Sequence, residues 1–496
     1  MAGGTVFLSA LVLAVAGTIP PNLNPWKNAS HPLPKYVLER NSPMGPQNAK
    51  EMYRELVDFP LAPEKLKWPQ ENPWVKTRGA REARVKDFGW NAENATEAFE
   101  KAFATPAKVV VVDKMSGPWR VETINVPDGR TLVLEKGVQI LGTKDSQLTG
   151  SKASVIEVRS RDVFILGKGD NYVGRYTEKE ETGRNVNRQY GGCGLGVNCA
   201  ENVAVKNITF ANNGCDGACI CGDRRPSKNI WFEDCVFDRN TRQGVSIISA
   251  DGVYFRNCTF SRTCGLAPKC GIDIEPWLPQ CNATANIYIF NCTFDENQGG
   301  HLQFSTSSLW PVTVYVKDCV FKSHATSAIG ITQRVLYPEN QTDAPSDLIF
   351  ENCQIEARRG VTPIRFDDGS FFHVTFRGGT VNEHDGYKAS VPPIRFRLNR
   401  EFRMEKDNSP VPRPVPEGSI VFDNLKIKGY DKMDELMTVE DTAKLCSVNS
   451  LHGTVIHNGK KRDVAKFRYP GADALAAEKD AKGGKAKDKR KGRKTR

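Results

Sequence analysis

"FEDCVF" (232–237) recurs down the chain as "FRNCTF" (255–260), "FNCTF" (290–294), "VKDCVF" (316–321) and "FENCQI" (350–355). Each copy reads Asn or Asp, then Cys, one further residue and an apolar residue. An earlier copy, "VKNITF" (205–210), has Ile in place of Cys, and a later one, "FRGGTV" (376–381), has glycines. The closing apolar positions fall at 210, 237, 260, 294, 321, 355 and 381, in steps of 27, 23, 34, 27, 34 and 26. A period of this size marks a solenoid, each repeat being one coil that stacks on its neighbour.

The coils are built of strands. "NIWFEDCVF", "GVYFRNCTF" and "NIYIFNCTF" are rich in β-branched and aromatic residues and end in turn residues. A second short strand follows each: "GVSIIS", "GIDIEP", "HLQFS", "AIGIT", "TPIRF", "PPIRF". Two or three short strands in 23–34 residues leave no room for a crossover helix, so the expected fold is all-β, a parallel β-helix. Equivalent residues then stack about 4.8 Å apart. Asp234, Asn257, Asn291, Asp318 and Asn352 form a ladder at one turn, and Cys235, Cys258, Cys292, Cys319 and Cys353 a column beside it. One rung apart, these cysteines read as small buried hydrophobes rather than disulfides. The ladder also discounts the sequons at Asn207 and in the "NCT" triplets, leaving Asn28, Asn94, Asn282 and Asn340 as freer acceptors.

The net charge of +11 over 496 residues is unevenly placed. Residues 479–496 hold ten Lys/Arg and two Asp, so the other 478 residues carry only +3. A nearly neutral body argues against nucleic acid as a partner of the fold. The Lys-rich tail, 471–496, reads as disordered, a solubilising segment or a contact for anionic polymers or surfaces. Val6–Ala16 is an apolar run ending in Ala14-Val15-Ala16. It reads as a secretory signal peptide, 1–16, although no Lys or Arg precedes it. It is too short to span a bilayer, and no membrane span is expected in the mature protein. A Pro-rich extension, 17–85, follows. The β-helix with its C-terminal cap is placed at 86–470. Fourteen cysteines fit an oxidising compartment. The nine outside the column (193, 199, 215, 219, 221, 264, 270, 281 and 446) follow no established zinc spacing. Loop disulfides are expected there and no metal ligand is assigned.

Residues 86–142 open with "NATEAFEKAF", an amphipathic helix with Ala95, Ala98, Phe99, Ala102 and Phe103 on one face, and continue through "VVVVD" and "TLVLEKGVQILG". This entrance, with the coils up to about residue 400, resembles the pectate-lyase-like right-handed parallel β-helix superfamily, in which a capping helix closes the first coil. The superfamily includes polygalacturonases, pectate and alginate lyases, mannuronan epimerases and phage tailspikes, so the resemblance implies a secreted protein acting on polysaccharide. "CDGACI" (215–220) resembles the Asp-Gly step of the polygalacturonase-type hydrolases, which implies a catalytic role for Asp216. "GGH" (299–301) resembles their Gly-His element and points to His301. The paired aspartates and the Arg-x-Lys element of those enzymes are missing at the matching places. The only adjacent pair, Asp367-Asp368, lies several coils later.

The site is expected on the second strands, aligned as "CDGACI", "RQGVSI", "CGIDIE" and "GHLQFS". In "CGIDIEPW" (270–277) Ile272 and Ile274 take one face and Asp273 and Glu275 the other. Outward positions of four successive coils bring Asp216, Arg242, Asp273, Glu275, His301 and Gln303 to one side. Asp273, Glu275 and Asp216 are the candidate catalytic acids. Arg242, His301, Gln303 and Trp277 are candidate substrate contacts, the last by stacking on a sugar ring. Glycoside hydrolysis needs one carboxylic acid and one carboxylate. Strand spacing of about 6.5 Å between Cα atoms favours the inverting geometry over the retaining one. Two other classes stay open. A lyase or C5-epimerase acting on a uronate polymer would use Arg242, Lys269, Arg365 or Arg395 as its base. A carbohydrate-binding solenoid would use none. Arg365 and Arg395 otherwise read as rung-to-rung salt-bridge partners. Calcium is possible on such a face, but no spacing demands it, and no cofactor is assigned.

Overall fold

The structure, a computed structural model, describes residues 66–75, 79, 81–143, 154–175, 192–222, 225–276, 284–306, 312–323, 327–333, 346–358, 360–367, 372–383, 391–398, 420–430, 436–441 and 451–464. Trp277, Cys281, Cys446, Asn28, Asn282, Asn340, Asp368, the apolar run 6–16 and the tail 471–496 lie outside them.

Each coil contributes three strands, as in Glu201–Lys206, Thr209–Ala211 and Asp216–Cys221. Every described strand pairs in parallel with its counterpart one coil away, except the closing hairpin Leu451–His457 with Lys460–Asp463. The third strands form one eleven-stranded ribbon in simple chain order, from Ile124–Asn125 to Met437–Asp441. This ribbon carries the candidate site.

The repeat positions fall into register as the sequence period requires. Phe210 pairs with Phe237, then Phe260, Phe294, Phe321, Ile355 and Val381. The five phenylalanines stack with centroid separations of 5.5, 5.1, 4.8 and 4.7 Å inside the core. Asn207, Asp234, Asn257, Asn291, Asp318 and Asn352 all sit at φ between 51° and 58°, the left-handed corner that Asn and Asp tolerate and other side chains avoid. Asn291 Nδ2 donates to Asn257 Oδ1 (2.7 Å), and Asn257 Nδ2 to Asp234 Oδ1 (3.1 Å), so the ladder amides are committed. Beside them the column cysteines are buried. The Sγ of Cys235, Cys258, Cys319 and Cys353 each lies 3.4–3.7 Å from a carbonyl one coil back. A small side chain with a weak donor suits a corner where backbone carbonyls need partners.

The helix Thr96–Ala104 caps the entrance, burying Ala98, Phe99, Ala102 and Phe103, with Phe99 edge-on to Trp119 at 5.5 Å. Residues 66–75 of the Pro-rich extension lie along an outer face instead. Trp68 meets Trp231 edge-on at 5.0 Å, Arg256 covers the Trp68 ring at 4.2 Å, and Asn72 Nδ2 donates to the Asp162 carbonyl. No helix among the described residues is long and apolar enough to cross a membrane.

Candidate active site

The strands Asp216–Cys221, Gln243–Ile247, Cys270–Ile274 and Leu302–Thr306 are successive rungs of the third ribbon. Cys219, Ser246, Asp273 and Gln303 are in register along one outward row, while Ile220, Ile247, Ile274 and Phe304 fill the core. Asp216, Gln243 and Cys270 form a second row. By simple alternation that row would point inward, but the alternation breaks at the strand entrance. A Cβ on Gly217 would strike Phe237 and Asn240, and one on Gly271 would strike Phe294 and Asn297, all inside the coil. Glycine at this corner lets the chain bend tightly and turns the residue before it outward.

Arg242 is therefore not in the strand row expected for it. It immediately precedes the strand, and its guanidinium reaches over the face. Nε donates to Asp216 Oδ1 and Nη2 to Asp216 Oδ2, both at 2.9 Å. The same Nη2 meets Gln243 Oε1 (3.0 Å), Ser246 Oγ (2.9 Å) and Glu275 Oε1 (3.1 Å). Ser246 Oγ also lies 2.9 Å from Asp216 Oδ2 and 3.0 Å from Glu275 Oε1. Gln243 Nε2 donates to Asp273 Oδ2 (2.7 Å) and to Glu275 Oε1 (3.3 Å). Arg242 thus binds two carboxyls directly, and Gln243 ties the third, Asp273, to the same group.

The face is not the wet one that alternation suggests. Asp216 is fully buried and Asp273 is 2% exposed, while the Arg242 and Glu275 side chains keep 21% and 19% of their surface. Burial is the first reason that all three acids are pushed above the usual carboxylate range. For Asp273 the charge of Glu275 adds to it, and the shift is large. Arg242 opposes the rise for each acid, and it is pinned in its charged form mainly by Asp216 against its own burial. Asp273 Oδ1 is buried with no hydrogen-bond partner. Burial and the charge of Glu275 thus both favour the neutral form of Asp273.

Gln303 is half-buried beside Asp273 and accepts from the Cys270 thiol at 3.1 Å. His301 does not join the group. It occupies the inner glycine corner one coil on, 1% exposed. Its Nε2–H donates to the Lys322 carbonyl (2.7 Å), and Nδ1 accepts from Asn297 Nδ2 (3.0 Å). It braces a turn. Gln243 and Ser246 are the members that sequence reasoning passed over, although both lie in "RQGVSI". Arg365 reaches Asp367 of its own strand at 2.5 Å, and Arg395 on the next rung lies 3.9 Å from the same acid, so only the second is the rung-to-rung pairing expected.

No disulfide joins any two of the twelve described cysteines, so the loop disulfides expected among 193, 199, 215, 219, 221, 264 and 270 do not form with one another. Parallel rungs hold neighbouring Cβ vectors side by side, whereas a disulfide needs them to converge.

A family model described as "Right handed beta helix region" matches residues 176–342. No curated protein matches the chain in sequence. Among solved structures, the family 28 exopolygalacturonase of Yersinia enterocolitica aligns with TM-score 0.53 at 13% identity, covering 79% of this chain and 77% of that one. A tailspike protein of the E. coli bacteriophage HK620 aligns with TM-score 0.52 at 10% identity, covering 76% and 67%. At these identities the likeness is one of fold. Parallel register, capping helix and family model agree, and the fold is a right-handed parallel β-helix.

Proposed function

We propose that the protein is a secreted polysaccharide-processing glycoside hydrolase, with Asp273 and Glu275 as its carboxyl pair and Asp216, Arg242, Gln243 and Ser246 as the groups that position them. The observation that carries this reading is the imbalance at the centre: Asp216 and Asp273, buried, and Glu275, half-buried, gather around the single guanidinium of Arg242, with Asp273 joined to the group through Gln243. One cation cannot stabilise three negative charges out of water, so protons are retained. A proton donor beside an ionised carboxylate is what glycosidic cleavage requires. The name exopolygalacturonase borne by one structural relative is consistent with a sugar substrate, and the run Val6–Ala16 is consistent with export.

Gln243 Nε2 lies 2.7 Å from Asp273 Oδ2 and 3.3 Å from Glu275 Oε1, so those oxygens are at most about 6 Å apart, short of the 6.5–9.5 Å of an inverting pair, which favours a retaining scheme. In that scheme Glu275 Oε2, which has no hydrogen bond among the described residues, attacks the anomeric carbon while Asp273 protonates the leaving oxygen. The Asp273 carboxylate then takes a proton from water, which cleaves the glycosyl ester and restores both groups. Arg242 is unsuited to be a lyase base, because Asp216 locks its proton in place. The burial of Asp273 favours one second reading, a closed polar network that binds sugar through Arg242 and Glu275 without cleaving it.

The test incubates the full chain with a panel of neutral and acidic polysaccharides and reads reducing ends and ultraviolet absorbance together. Asp273→Asn and Glu275→Gln are run beside it. Reducing ends without absorbance, lost in both variants, support the hydrolase. Absorbance from an unsaturated product would overturn it in favour of elimination. Sugar affinity without products, surviving in both variants, would overturn it in favour of binding.

A further inference from the structure

Two and three coils before the acid pair, the third ribbon carries sulfur on its outer side. Cys193, Cys215 and Cys219 pack into one buried cluster, with Cys221 and Ile248 against it, separate from the cysteine column in the core. We propose that Cys193, Cys219 and Asp216 form a binding site for a thiophilic divalent cation of the Zn²⁺ class.

Geometry comes first. One ligand atom from each of the three residues, two thiol sulfurs and a carboxylate oxygen, lies within 4.8 Å of the other two. A tetrahedral centre with Zn–S near 2.3 Å and Zn–O near 2.1 Å sets its ligand atoms about 3.5–3.8 Å apart. Binding therefore requires the ligand atoms to draw together from within 4.8 Å.

Charge points the same way, while the Cys193 thiol is held well above its usual range by its hydrogen bonds with Cys215 and Cys219 and by burial, so the cation must displace a firmly held proton. Cys193 Sγ is 3.9 Å from Asp216 Oδ2, and Cys215 Sγ is 3.5 Å from Asp216 Oδ1. Thiol protons therefore lie between sulfur and carboxylate, the place a cation takes when it binds. Binding proceeds as M²⁺ + 2 RSH → M(SR)₂ + 2 H⁺, with both protons leaving to solvent and Cys215 keeping its own. Two thiolates and Asp216 bring three negative charges. The cation brings two positive charges and Arg242, already bidentate on Asp216, brings the third. The loaded site is neutral. Two sulfur ligands select against Ca²⁺ and Mg²⁺, which take oxygen.

Such a cation would fix Asp216 and, through it, Arg242. The inference is independent of the sugar reading, since its readout is spectroscopic.

The full chain, reduced and kept free of oxygen, is titrated with Co²⁺. One equivalent is expected to bind, giving a thiolate-to-cobalt charge-transfer band in the near ultraviolet, release of about two protons per ion and displacement by Zn²⁺. Cys193→Ala and Cys219→Ala should abolish the band. Asp216→Asn should weaken binding roughly 10–100-fold. Cys221→Ala, in the same cluster but outside the ligand set, should leave the band unchanged. Far-ultraviolet circular dichroism checks the fold of each variant. Zinc content of the unaltered protein, measured after equilibration with Zn²⁺ and gel filtration, stands without any variant. No thiolate band, a band that survives both cysteine variants, a zinc content near zero, or a Cys193–Cys219 disulfide in the isolated protein would each overturn the proposal.

Discussion

Asp273 is a carboxylic acid in a place built for its neutral form. Its Oδ2 accepts from Gln243, and its Oδ1 is buried without a partner. Asparagine reproduces that shape, with its amide oxygen on Gln243 and its NH₂ where the acid holds its proton. The linkage sign follows from the upward shift. Above about pH 4 the unfolded chain releases this proton and the folded chain keeps it, so stability falls as pH rises until Asp273 ionises in the native state. Asp273→Asn should remove about one proton's worth of that slope, roughly 1.4 kcal/mol per pH unit. Urea midpoints of both proteins across pH 4–8 would show it, and parallel curves would mean that Asp273 is ionised in the fold. Arg242 makes the opposite demand. Arg242→Gln leaves Asp216, fully buried, without its cation, and removing one partner of such a pair costs about 3–5 kcal/mol. Arg242→Lys should recover only part, because an ammonium cannot hold both oxygens in parallel. A loss below 1 kcal/mol in the glutamine variant would show that Asp216 simply takes up a proton. Much of this site was legible. Period-two alternation put Asp273 and Glu275 together, and the coil repeat brought Asp216 and Arg242 beside them. His301 was misplaced because the alternation fails at the glycine corner, and no side chain in "GGH" announces that break. The burial was not legible either, since polar residues in strand register read as solvated.

At the scale of the turn and the stacked strand, one backbone conformation recurs. Asn257 stands at φ 56°, in the corner that five neighbouring coils repeat with Asn or Asp. Asn257→Ala should cost about 1–2 kcal/mol, the penalty of a Cβ in the left-handed region, plus the ladder bonds to Asp234 and from Asn291. Asn257→Gly keeps the conformation and loses only those two bonds, so it should lie well above the alanine variant in thermal stability. Equal melting points would mean that the amide ladder, and not the dihedral angle, holds the turn. This element was the most readable part of the chain. A residue type forced by φ and an apolar residue forced by the core recur at fixed separation, so "N/D-C-x-apolar" marked each coil. The loops between coils obey neither constraint. Their lengths make the steps vary from 23 to 34 residues, and the expected alignment slips by one between "RQGVSI" and "CGIDIE", where Gln243 pairs with Cys270 and not with Gly271.

Across the whole molecule each coil touches only its neighbours, and stability is close to a sum of rungs and the interfaces between them. Residues 66–75 break that rule, because they bridge several coils from outside. Trp68 lies edge-on to Trp231 and Tyr254, Arg256 covers its ring, and Gln70 accepts from Lys206 and donates to Glu233. Sequence pattern gave no hint of this path, since a Pro-rich segment has no period to match against a sheet. The strap is held by aromatic and cation–π contacts of about 0.5–2 kcal/mol each. Trp68→Ala should therefore loosen the covered coils without unfolding the solenoid. Amide exchange should accelerate about 10-fold in Ser227–Glu233 and Ala250–Arg256, for a loss near 1.4 kcal/mol. The strands Phe372–Arg377 and Ile420–Lys428, four or more coils away, should exchange at unchanged rates. Uniform acceleration along the chain would mean that the coils unfold as one cooperative unit, and that the strap stabilises the whole helix rather than the rungs it covers.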